Sequence, residues 1–448
     1  MRPLLTLALL LVPGVAMAAP IEFVDTSQSF WIFDDIDNTV EFGNFFERDP
    51  FFTAYTAIED GFLAVHPDDS QFIVVYTTWS LPGPVGALYQ ATSNDVEGIG
   101  YEHIADLDPV IPAPYFDDTP NSQVQGFLHM NRWTNYIGED PGGTDDSRIS
   151  LVFGQELGHA WLAFVHVDAP AIDPRILLGR SDAHWNFYLH TNGSPVQGHT
   201  WADNGDGTFT ASKTEIFEFS DLDLYLMGLV PPEEVEPFFA IVGPSDCIDS
   251  AQRDGECAPP DAFQFEAETY TVTGTRVDLT VDDVIASEGA RNPAWPDTPD
   301  RYDVSFILVK RPDEQLGPEE LAQLDTIVDR SIEIFDAQTR GLAAVRNRTR
   351  EVPPMTTGND DDSDGEGSAS DSDDTADASQ TGSGSNSGAA TSPGTSGGLL
   401  DTDTEGEGQA GDPDGCGCRS DGAAPWSLLV LLALAIVRRD GIPRAETR

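Results

Sequence analysis

The chain has 448 residues, 77 of them acidic and 23 basic, for a formal net charge of −54. A surface this negative repels phosphate backbones and anionic lipid headgroups, which argues against nucleic acid and acidic membrane surfaces as partners. Forty per cent apolar residues are enough for one large or two medium cores. At the start, Arg2 precedes an apolar run from Leu4 to Val15 and the small-residue site Ala16-Met17-Ala18. This pattern predicts a secretory signal peptide over 1–18, cut after Ala18, so the mature chain is expected outside the cytoplasm.

A folded body is expected over 19–352. Phe23 to Phe52 is rich in aromatics and Asp, and the sequence leaves open whether a propeptide is removed between 19 and about 70. Gln71 to Trp79 and Gln125 to Asn131 are β-branched and aromatic runs that predict strands. A helix is expected from Asp146 to Val165, capped by Ser147 or Asp146, with Leu151, Val152, Leu157 and Trp161 as its apolar positions. Trp201 to Thr210 contains Asn-Gly and Asp-Gly and reads as a hairpin. Its Asp203, Asp206 and Thr208 offer oxygens to Ca²⁺, but the twelve-residue loop pattern is not met, so a plain turn is expected.

Cys247 and Cys257 lie ten apart in a loop rich in Gly, Pro and Asp. In an exported protein they are expected to form a disulfide. A C-terminal subdomain over 245–352 is an option. Within it, Tyr302 to Val309 predicts a strand, and Pro318 to Gln338 carries Leu321, Leu324, Val328, Ile332 and Phe335 at helical spacing. That stripe reads as core packing, with Pro318 in the first turn.

The chemistry concentrates on Gly154-Gln155-Glu156-Leu157-Gly158-His159-Ala160-Trp161. It is the zinc-peptidase pattern H-E-x-x-H with Gln155 at the first histidine. Positions i and i+4 share one helix face, so two imidazoles there grip one Zn²⁺, and the intervening Glu deprotonates the metal-bound water. Glu156 and His159 remain, whereas an amide is a weak zinc ligand. His166 lies about 10 Å from His159 on a continuous helix and is too far to share an ion. His184 and Asp223 are equal candidates for a third ligand, with His190 behind them, and the alternative for His184-Trp185 is plain core packing. Tyr225 could stabilise an oxyanion if metal binds, or be a core aromatic. No Ser or Cys nucleophile constellation is evident.

The combination of Q-E-L-G-H-A-W, Ala183-His184-Trp185 and Leu222-Asp223-Leu224-Tyr225-Leu226-Met227-Gly228-Leu229 resembles a group of secreted myxobacterial zincin-like proteins over residues 70–345. Tyr225-Leu226-Met227-Gly228 is similar to the methionine turn beneath the metal in metzincins. The resemblance implies an α+β, zincin-like fold. For typical members it also implies zinc-dependent hydrolysis of protein or peptide substrates. The departure at Gln155 leaves a silent homologue that binds peptides or surface partners, or a structural envelope protein, as the alternatives.

Beyond the body, 353–415 is nearly all Gly, Ser, Thr, Asp and Ala. From Thr356 to Asp414 it has fifteen acidic residues and no Lys or Arg. It cannot bury enough apolar surface to offset ordering entropy, so a disordered linker is expected. Cys416-Gly417-Cys418, a short apolar stretch to Val437 and the pair Arg438-Arg439 follow. In that order, residues 416–439 resemble the myxobacterial C-terminal sorting signal of the MYXO-CTERM type. This resemblance implies a sorting protease, contact with the membrane through the hydrophobic helix or after processing, and display at the cell surface or outer membrane, or release from it.

Overall fold

The computed structural model describes residues 20–43, 48–81, 86–106, 122–249, 256–263 and 268–355. The expected signal peptide, the linker from 356 onward, and Cys416, Cys418, Arg438 and Arg439 lie outside them. In chain order the strands are β1 (Glu22–Thr26), β2 (Trp31–Asp34), β3 (Phe72–Thr77), β4 (Leu88–Ala91), β5 (Gly126–Arg132), β6 (Trp185–His190), β7 (Gln197–His199), β8 (Trp201–Asp203), β9 (Thr208–Ser212), β10 (Phe238–Asp249), β11 (Thr269–Leu279), β12 (Arg301–Lys310) and β13 (Ala344–Asn347). The helices are α1 (Arg48–Leu63), α2 (Asp146–Gly158), α3 (Asp221–Met227), α4 (Val281–Glu288), α5 (Pro318–Gln338) and α6 (Arg348–Glu351). Helices and sheets are mixed, in keeping with the α+β class.

The first sheet has the order β1-β2-β12-β3-β5-β4, with β13 also paired to β12. Its centre is parallel, while β1 and β4 run antiparallel at the edges. Both faces are buried, and the residues alternate as strand pleating requires. Phe72, Val74 and Tyr76 enter the larger core, under α2 and α5, whereas Ile73 and Val75 enter a second core, shared with Tyr55, Ile58 and Phe62 of α1. The second sheet has the order β7-β6-β10-β11-β9-β8, and Phe187, Trp201, Phe209 and Val272 form a third cluster on it.

Several boundaries differ from expectation. Helix α2 ends at Gly158, not Val165. The Gly158 carbonyl accepts from both Trp161 and Leu162 N–H at 2.9 Å, and Ala163 turns the chain at φ 68°. The last helical residue is a glycine, Gly158, and the stretch 160–165 that follows it is all buried. The α2 cap is Asp145, whose carboxylate accepts from Arg148 N–H at 3.0 Å, while Asp146 pairs with Arg330 instead.

The stretch 245–352 is not set apart as a subdomain. Strand β12 inserts between β2 and β3, and β11 lies inside the second sheet. The segment for which a propeptide was left open supplies β1, β2 and α1, with Trp31 and Phe33 fully buried. In the β8–β9 hairpin, Asp203 accepts from Gly205 N–H and pairs with Arg276, and Asp206 accepts from Thr208. These carboxylates hold their own turn rather than converging on a cation. Cys247 and Cys257 are joined by a disulfide. Among the described residues no helix is long and apolar enough to cross a membrane.

Candidate functional site

The last turn of α2 carries Gln155 and Glu156, and His159 is its C-cap. Two glycines let this helix sit deep. A Cβ at Gly154 would fall 2.7 Å from the Gln338 side-chain amide, and one at Gly158 would press on Leu162, Val196 and Phe219 at 3.2–3.3 Å. Gln155, Glu156 and His159 are all buried.

Their hydrogen bonds say what position 155 now does. Gln197 Nε2 donates to Gln155 Oε1 at 2.7 Å, and Gln155 Nε2 donates to Glu156 Oε1 at 3.0 Å. The amide is therefore locked in a Gln197–Gln155–Glu156 chain, with its oxygen already engaged. Burial pushes the Glu156 carboxyl up to about 7. The Gln155 hydrogen bond, the charge of Arg180 and a backbone hydrogen bond from Tyr89 on β4 partly offset this.

His184, just before β6, meets His159. Their ring centroids are 4.8 Å apart and nearly perpendicular. His184 Nδ1 lies 2.8 Å from the Arg180 carbonyl, which fixes the proton on Nδ1 and leaves Nε2 as an acceptor. His184 Nε2 and His159 Nδ1 are buried with no hydrogen-bond partner. Both rings are neutral. Burial, then the Arg180 charge, drives His159 down to about 3 and His184 well below its ordinary value.

The other candidates are elsewhere. Asp223 is fully buried, with Oδ1 accepting from the Trp185 indole at 2.7 Å and Oδ2 from Ser220 N–H at 2.7 Å. It closes a capping box on α3 and steadies the residue beside His184, and these contacts engage both carboxylate oxygens. Tyr225 is buried in the core, and its hydroxyl accepts from Arg291 N–H at 3.2 Å. The Tyr225-Leu226-Met227-Gly228 turn is the C-terminus of α3. There the Arg291 guanidinium donates to the Leu226 and Met227 carbonyls, satisfying the helix end. Gly228 is required, because its φ is 80° and a Cβ would lie 2.4 Å from that guanidinium. His190 stacks on Phe239 and accepts from Trp201 N–H.

A catalytic zinc site needs three protein ligands around an open position. This centre supplies two imidazoles. The third position carries an amide oxygen already bonded to Gln197, Asp223 has turned away, and the Arg180 guanidinium lies close enough to depress both histidines. The residues present do not fit a catalytic zinc ion. Sequence reasoning missed Arg180 and Gln197, which carry no local motif. No family model, curated protein or solved structure matches the chain.

Proposed function

We propose that this chain is an exported, surface-held protein of the zincin metallopeptidase type whose E-x-x-H centre is catalytically silent and whose body binds peptides or protein partners. The observation that carries this reading is the Gln197–Gln155–Glu156 hydrogen-bond chain. It fills with protein contacts the position where the peptidase plan requires a ligand. Two features support descent from that plan. His159 and His184 still face each other with unpartnered nitrogens. The E-x-x-H helix also lies against β4, an antiparallel strand at the sheet edge among the described residues, and an edge strand is a natural platform for an extended peptide. Export and surface retention rest on the residue patterns at the two chain ends.

The test is hydrolysis of an unfolded protein substrate by the purified chain, with and without a chelator. No turnover above that of Glu156→Gln is expected. Chelator-sensitive hydrolysis that disappears in Glu156→Gln would overturn the reading.

A further inference from the structure

A second group of metal-binding side chains lies away from the E-x-x-H helix. Glu288 ends α4, and its side chain is 1% exposed. Its Oε1 accepts from His166 backbone N–H at 2.7 Å and from the Ser287 hydroxyl at 2.9 Å. This fixes the carboxylate so that Oε2 lies 3.0 Å from His103 Nε2. His103 sits in the helical turn Tyr101–Asp106, and its ring stacks on His166 with centroids 4.0 Å apart. One donor atom from each of His103, His166 and Glu288 lies within 4.8 Å of the others, the one such grouping of His, Cys, Asp or Glu among the described residues.

Main-chain contacts hold these three segments together independently of the side chains. Glu97 and Asn292 exchange two backbone hydrogen bonds, at 2.9 and 3.1 Å, and Asp168 N–H donates to the Asp283 carbonyl at 2.9 Å. Gly100 packs so close to the 164–165 backbone that a Cβ would fall 2.6 Å from the Phe164 carbonyl oxygen. The donors are thus presented on a fixed frame, which lowers the ordering cost of binding. The nearby charges of Arg175 and Asp182 are paired with each other. A stacked imidazole pair beside a buried carboxylate suits a divalent cation.

We propose that His103, His166 and Glu288 bind one divalent ion of the Zn²⁺ class, which staples the 101–106 turn and the segment after α2 to the end of α4. Two imidazoles and one carboxylate are a borderline donor set that suits Zn²⁺ over Mg²⁺ or Ca²⁺. Bonds of roughly 2.0–2.2 Å place tetrahedral donors about 3.4 Å apart, within reach of small side-chain rotations. His103 is 31% exposed, so water can supply the fourth ligand.

The experiment is titration of the chelator-stripped full chain with Zn²⁺ alone, against a chromophoric competitor, for wild type, His103→Ala, His166→Gln and His159→Ala. One equivalent is expected, with affinity falling at least tenfold in His103→Ala and His166→Gln and unchanged in His159→Ala. Because the His166 backbone N–H contact to Glu288 survives in both variants, a folding defect is not expected to mask the result, and circular dichroism checks this. Absence of stoichiometric binding in the wild type, or wild-type affinity in His103→Ala and His166→Gln, overturns the proposal. Binding lost only in His159→Ala overturns it too, and would separately refute the silent centre.

Discussion

Acidification from pH 7 to pH 5 should remove much of this protein's stability. His129, His159 and His199 are each driven down to about 3, with burial the largest cause, and burial also drives His184 well below its ordinary value. In the unfolded chain these imidazoles titrate near 6.5. Below that pH the unfolded state takes up protons that the folded state refuses. The stabilisation is therefore full above about 6.5 and is lost as pH falls towards 3. For each of the three groups near 3, the loss between pH 7 and 5 is about 2 kcal/mol, or about 6 kcal/mol together. Glu156 works in the opposite sense. Its folded carboxyl, raised to about 7, holds a proton that the unfolded state releases, returning about 2 kcal/mol over the same interval. Asp223, also raised by burial, opposes the loss, and His184 adds to it. The net loss is about 4 kcal/mol, a large share of the roughly 5–15 kcal/mol that folded domains hold. Urea unfolding followed by tryptophan fluorescence reads this directly, because Trp31, Trp185 and Trp201 are almost fully buried. The midpoint should fall sharply at pH 5, with about two protons taken up per chain on unfolding. A midpoint equal or higher at pH 5 would mean that these histidines are not buried neutral, and the account of the His159–His184 pair would fail with them.

Gln155→His restores a third imidazole on the face shared with His159, beside His184. It should tighten zinc binding at this centre at least about 100-fold, more than is usual for contacts one shell out from a metal, and His184→Ala should abolish the gain. No additional zinc in Gln155→His would show that His159 and His184 do not converge with position 155. Asp223→Ala removes a helix cap and leaves the Trp185 indole without its acceptor. Thermal or urea unfolding should show a loss of about 2–4 kcal/mol. If Asp223→Ala changed metal content and left stability intact, Asp223 would be a ligand after all.

What the sequence determined alone is whatever has a short-range signature. β-branched runs located β3 and β5, apolar spacing set α5 from Pro318 to Gln338, and turn chemistry placed the hairpin around Asn204 to Gly207. The degenerate motif placed Gln155 in the last turn of α2 and His159 at its C-cap because the i, i+4 relation is local. Tertiary structure decided the rest. Helix α2 stops at Gly158 and the buried 160–165 stretch turns away, which sends His166 from His159 to meet Glu288 across 122 residues of chain. Asp223 and His184 were indistinguishable as ligands until the fold gave one to Trp185 and Ser220 and set the other against His159. Arg180 acquired its influence only by proximity, since a charge acts through space and leaves no periodicity in the chain.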